Sequence, residues 1–247
     1  MKWTRHLLTL WLGCALLLTS AGCGPSSDPA RGGGAGGAGG ATTATATQDA
    51  TGIKHYAPEK LPAVDYNIPP QDEGRLEVPT PPGWFAGSRQ SAVLIWFYEK
   101  DKAGLPRIVI TGEPCQREGI NTITKANVLD FAKTVSTELE AKEQEVLEEP
   151  RAVMLGDNAW VRYVLLGKYK NTPVDRQILR TVVDGREYVV DLQVLRETVM
   201  KHRDSAYAIA AGIKFHPAGT AAIPPESAPD SLPPETAEPN KATDPTK

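Results

Sequence analysis

Between Asp65 and His216 the apolar positions recur with the periods of strands and helices; on either side of that stretch they do not. Arg75–Val78 reads as a short strand running into Pro79-Thr80-Pro81-Pro82-Gly83-Trp84, where prolines exclude a helix and Gly83 permits a turn. Ala92–Lys100, AVLIWFYEK, is a continuous apolar run and predicts a buried strand. Asp101–Pro106 turns the chain and Arg107–Thr111, RIVIT, returns it as an antiparallel partner. Thr124–Lys142 predicts the clearest helix: Val128, Phe131, Ala132, Val135 and Leu139 fall at spacings of three and four and share one face. Thr124 is its expected N-cap. Glu138, Glu140, Glu143 and Glu145 crowd its far end and read as a solvated face. Three strands follow, Ala159–Gly167, Val174–Val183 and Glu187–Leu195. Asp184-Gly185 between the last two is a strong hairpin signal, because both turn positions need a positive φ. Ser205–Gly212 closes the pattern as a short helix, expected to be capped by Asp204 and ended by Gly212, with Ala206, Ile209, Ala210 and Ile213 inward.

The order is three strands, helix, three-strand meander, helix. It predicts an α+β fold with an antiparallel sheet and flanking helices. A two-residue turn at Asp184-Gly185 also fixes register: Val183 opposite Arg186, Thr181 opposite Tyr188, Leu179 opposite Val190 and Gln177 opposite Leu192. Those pairs share a mostly apolar face that must be core. The other face carries Arg176, Ile178, Arg180 and Val182 against Glu187, Val189, Asp191 and Gln193. Arg176, Arg180, Glu187 and Asp191 are the candidate partner-binding residues, since arginine among branched aliphatics suits an interface. The alternative is a solvated face of cross-strand ion pairs, covered in part by a helix.

The ends behave differently. Lys2 and Arg5 precede an apolar run from Leu7 to Leu18 and a small-residue stretch, Thr19 to Gly22. That is the layout of an export signal, and the run is too short to span a bilayer, which takes roughly 20 residues. Ser20-Ala21-Gly22-Cys23 resembles the processing site of bacterial lipoproteins. The resemblance implies that Cys23 becomes the lipidated N-terminus and that the chain is membrane-anchored in the cell envelope, facing the periplasm or in the outer membrane of a cell with two membranes. Gly24–Thr51 is rich in Gly, Ala and Thr and reads as a structureless tether spanning roughly 30 Å. Pro217–Lys247 is proline-rich, with five acids and two lysines, and reads as a disordered acidic tail. The predicted organisation is therefore a signal over residues 1–22, a lipidated cysteine and tether over 23–64, a globular domain over 65–216 and a tail over 217–247.

The chain's net charge of -3 argues against nucleic acid as a partner. Cys115 is the one cysteine left for the domain, so no internal disulfide is available, and it reads as a partly buried structural residue. His55, His202 and His216 are scattered, two of them beside cations, and none has the spacing of a helical zinc site. Neither a nucleophile elbow nor a phosphate loop occurs, and Gly32–Gly40 lies between no strand and helix. No catalytic residue, metal or cofactor is expected.

Five stretches, VPTPPGW (78–84), VLDFAKTVSTEL (128–139), LGDNAWVRYVLL (155–166), GREYVVDLQV (185–194) and YAIAAGIKF (207–215), resemble the PsbP-like family. That resemblance implies an α/β/α sandwich and no shared catalytic residues, in a family whose known members mostly bind other proteins. The expectation is a non-catalytic lipoprotein that binds or assembles an envelope protein. The alternatives are a small-ligand carrier, which would need a preformed cavity, and an envelope enzyme working through paired carboxylates.

Overall fold

The computed structural model describes residues 44–87, 93–99 and 104–217, all within one compact unit, Ala41–Lys247. The signal, Cys23, most of the tether and the tail beyond Pro217 lie outside the described residues.

The chain forms β1 (Thr47–Gln48), β2 (Lys54–Tyr56), β3 (Leu76–Glu77), β4 (Trp84–Ala86), β5 (Ile95–Glu99), β6 (Arg107–Pro114), α1 (Val128–Ala141), β7 (Val146–Leu155), β8 (Asn158–Tyr169), β9 (Thr172–Val183), β10 (Arg186–Leu195), α2 (Val199–Gly212) and β11 (Lys214–Phe215). Nine strands make one sheet in the order β1-β2-β7-β8-β9-β10-β6-β5-β4. Its pairs are antiparallel except β2 with β7, which are parallel. β3 and β11 pair separately. The fold is α+β with a helix on each face of the sheet.

The Asp184-Gly185 turn has φ of 49° and 71°, the backbone of a two-residue hairpin. All four expected cross-strand pairs are present. Alternate residues then feed two cores. α2 packs with Val153, Leu155, Trp160, Leu179, Val190 and Leu192 on one face. α1 packs with Ala152, Met154, Val161, Tyr163, Ile178 and Val182 on the other. The five apolar residues expected to line α1 are all buried, as are the four expected on the inner side of α2 and its exit.

Four expectations change. The meander has four strands, not three: β7 was hidden because Glu148-Glu149-Pro150-Arg151 interrupts its apolar pattern, and two register shifts against β8 accommodate that interruption. α1 itself starts after Asn127, whose Oδ1 accepts the Thr124 N–H at 2.7 Å; Thr124 caps the turn leading into it, its Oγ1 accepting the Ala126 N–H at 3.3 Å and its carbonyl the Val128 N–H at 3.0 Å. α2 begins at Val199, so Asp204 lies inside it, where its carboxylate accepts the Ala44 N–H at 2.8 Å. Gly212 is the last residue of α2, as expected, and a Cβ there would come within 2.9 Å of Pro79. Finally, the folded part starts well before Asp65. Ala44, Ile53, Tyr56 and Leu61 are buried, and β1 and β2 extend the sheet. Asp49 secures this hairpin, its Oδ1 accepting the Thr51 and Ile53 N–H groups. The final part of the expected tether is thus sheet, because two large apolar side chains suffice to dock it.

Candidate functional site

The candidate partner-binding residues lie on the face that α1 covers. Arg180 Nε donates to Glu187, and its Nη1 reaches Glu138 of α1 at 3.1 Å. Arg117 joins the same group, pairing with Glu138 through Nη2 at 2.7 Å and with Glu187 through Nη1. Arg176 Nη2 donates to Asp191 at 2.6 Å. Burial works against the charge of Glu138, yet Arg117 and Arg180 outweigh it and hold the carboxyl below its ordinary range. Arg180 and Glu187 keep only 16% and 13% of their side-chain surface. Arg180 and Glu187 form internal ion pairs under α1, and Glu138 is tied into them instead of lying on a solvated face; Arg176 and Asp191 pair with each other, with Arg176 37% exposed.

The three histidines are dispersed, each beside a different carboxylate: His55 with Asp49, His202 with Glu99 and His216 with Glu77. Among the described residues no three His, Cys, Asp or Glu side chains converge to hold a metal. Cys115 is half-buried against the α1 core, as its sequence setting predicts.

A cleft of about 710 Å³ opens elsewhere, at the edge of the sheet. β2 pairs only with Val153–Leu155, leaving the preceding part of β7 without a strand on that side. α1 and α2 cover opposite faces of the sheet and both overhang this edge, so the gap between them is a cleft. Leu129 and Lys133 line it from α1; Met200, Arg203 and Tyr207 line it from α2. The α2 residues are spaced three and four apart, which puts them on one helix face.

Its floor is charged. Arg162, in the middle of the apolar β8, is buried, and its Nη2 donates to Glu148 Oε1 at 2.9 Å while Nη1 donates to Oε2. Nε and Nη2 also donate to Gln177 Oε1 at 3.3 and 3.2 Å. Desolvation, the largest single influence, would lower the Arg162 pKa, but the bond to Glu148 and the charge attraction around it together outweigh it and the guanidinium is held charged. That same bond pulls the Glu148 carboxyl below its usual range. Arg203 lies 5.9 Å over the Tyr56 ring and 5.4 Å over Tyr207, whose rings meet edge to face at 4.8 Å. Five cations line the cleft, Lys54, Lys133, Arg151, Arg162 and Arg203, and among the described lining residues Glu148 is the one carboxylate.

Sequence reasoning passed over this site. Its legible signal was Arg162 inside AWVRYVLLG: an arginine on the core side of a strand requires a partner and a reason. The partner, Glu148, sits in the stretch whose strand character was hidden.

No family model matches the chain, and no curated protein matches it. Solved structures give partial likenesses. A crystal structure from Bacteroides thetaiotaomicron is 14% identical with a TM-score of 0.40, covering 62% of this chain and 48% of the other, so the chain spans about half of that protein. LpqN of Mycobacterium tuberculosis, described as involved in cell envelope biogenesis, is 18% identical with a TM-score of 0.37, covering 57% of this chain and 83% of LpqN. The cyanobacterial PsbP of Synechocystis, CyanoP, is 14% identical with a TM-score of 0.34, covering 74% of this chain and 98% of CyanoP. Among the described residues no helix is long and apolar enough to cross a membrane.

Proposed function

We propose that this protein is a lipid-anchored, non-catalytic binding protein of the cell envelope, with the cleft between α1 and α2 as its ligand site. The carrying observation is the cleft, whose volume of about 710 Å³ falls in the range of small-molecule sites. The candidate surface for a protein partner offers less support, because its charges are spent on one another, those of Arg180 and Glu187 beneath α1. The cleft's chemistry favours binding over catalysis. A general acid or base needs a pKa near working pH, whereas Glu148 is locked ionised against Arg162. The export signal and the cysteine that follows it support anchoring through Cys23.

The test is native mass spectrometry of the chain purified from membranes in mild detergent. A small-molecule adduct is expected, and it should disappear in Ser136→Trp, which fills the cleft from the α1 wall. An adduct unchanged by that substitution, or none under any extraction condition, would remove the cleft as the functional site.

A further inference from the structure

We infer that the cleft selects an anionic amphiphile, a phosphate or carboxylate head on an aliphatic body. This rests on the ligand-binding reading above and names its substrate class. A bare sheet edge could instead accept a peptide as an added strand. Pro150 has no N–H to donate, however, and register shifts lie on both sides of Glu148, so this edge is a poor ladder for another strand. What the cleft holds must be gripped by side chains.

Those side chains are cationic on the α2 side of the sheet. Arg151 stands directly opposite Arg162 across β7 and β8. Like charges in that relation repel, and Glu148, the nearby carboxylate, is already engaged by Arg162 at both oxygens. Lys54 is in register with Val153, two residues from Arg151, and its side chain falls on the same side of the pleat. Neither Lys54 nor Arg151 makes an ion pair among the described residues. Arg203 approaches from above on α2, held by Asp204 at 3.0 Å. Four cations thus meet two carboxylates, Glu148 and Asp204, each already committed to an arginine, and Lys54 and Arg151 are left over. An entering anion would relieve the repulsion and gain charge-assisted bonds from arginine.

The walls call for an apolar body as well. Leu129 on α1 and Met200 on α2 are 39% and 56% exposed, two of the few large apolar side chains in the described structure that stay open to water. They stand on opposite walls of this cleft. Met is a flexible, adaptable contact for an alkyl chain.

The experiment measures binding to the full-length chain by equilibrium dialysis with short probes that stay monomeric. These are hexyl phosphate, heptanoate, hexanol, hexyltrimethylammonium and inorganic phosphate. The tighter of hexyl phosphate and heptanoate should exceed each of the other three by at least tenfold, and which of the two it is identifies the head. Arg151→Glu, at an exposed position, should weaken that probe at least tenfold with a melting temperature no lower than the parent's and unchanged hexanol binding. Equal binding of hexanol, or preference for the ammonium, would overturn the anionic head while leaving the ligand-binding reading intact. Inorganic phosphate binding as tightly as hexyl phosphate would overturn the aliphatic body. Failure of every probe, together with the absence of a native adduct, would remove both the inference and the reading beneath it.

Discussion

Arginine 180 shows how context reverses the meaning of a residue. On the sequence it is either a docking contact or one half of a solvated cross-strand ion pair. In the structure it lies between Glu187 and Glu138 beneath α1, so Arg180→Glu would set three carboxylates against Arg117 alone. Its melting temperature should fall well below that of the parent. Glu138→Gln is the milder probe. It leaves Arg117 and Arg180 short of charge in a mostly buried site, and urea unfolding should report a loss of about 2 kcal/mol. The pH dependence has a definite sign. The folded pKa values of Glu138 and Glu148 lie below the ordinary 4.5, so the unfolded chain takes up protons first on acidification. Their stabilisation is complete above about pH 4.5 and is lost as pH falls toward the folded values. Thermal melts between pH 7 and pH 3 should show a falling transition whose slope shrinks in Glu138→Gln. An unaltered slope would mean that the pair is not coupled to folding.

At the scale of elements, the N-terminal hairpin matters most. Composition alone predicts a tether over β1 and β2, because Gly, Ala and Thr dominate the sequence before them. Burial of Ile53 and Tyr56 is worth about 2 kcal/mol each, and the Ala44–Asp204 bond fastens the entry to α2. Removing residues 24–43 should therefore leave the melting temperature unchanged. Removing residues 24–64 should lower it sharply or leave the chain insoluble, since it also strips β2 from Val153–Leu155. Limited proteolysis of the intact chain should stop near Ala44. A stable fragment beginning at Asp65 would contradict the docked hairpin.

The whole molecule joins a folded unit to an N-terminal segment read as a lipid attachment. Under that proposal Cys23→Ala should move the protein out of the membrane fraction or stall its processing, while the folded unit keeps its melting temperature. Membrane partition and mass unchanged in the variant would exclude anchoring at Cys23. The cleft is a property of this scale alone. It exists because β2 is short, β7 is longer, and two helices on opposite faces both overhang the uncovered edge.

Local periodicity determined α1, the inner face of α2, strands β5, β6, β8, β9 and β10, and the register of the last hairpin. Side-chain alternation and a two-residue Asp-Gly turn are short-range constraints, and they survive unaltered into the fold. The ion pairs across β9 and β10 were legible for the same reason, although whether they faced water was not. Tertiary structure decided that α1 lies over them, that the polar interruption 148–151 continues a strand, and that residues before Asp65 join the sheet. It also brought Arg162 to Glu148 and Lys54 near Arg151. Those contacts depend on how strands and helices pack, and their free energy comes from burial, which no local pattern records.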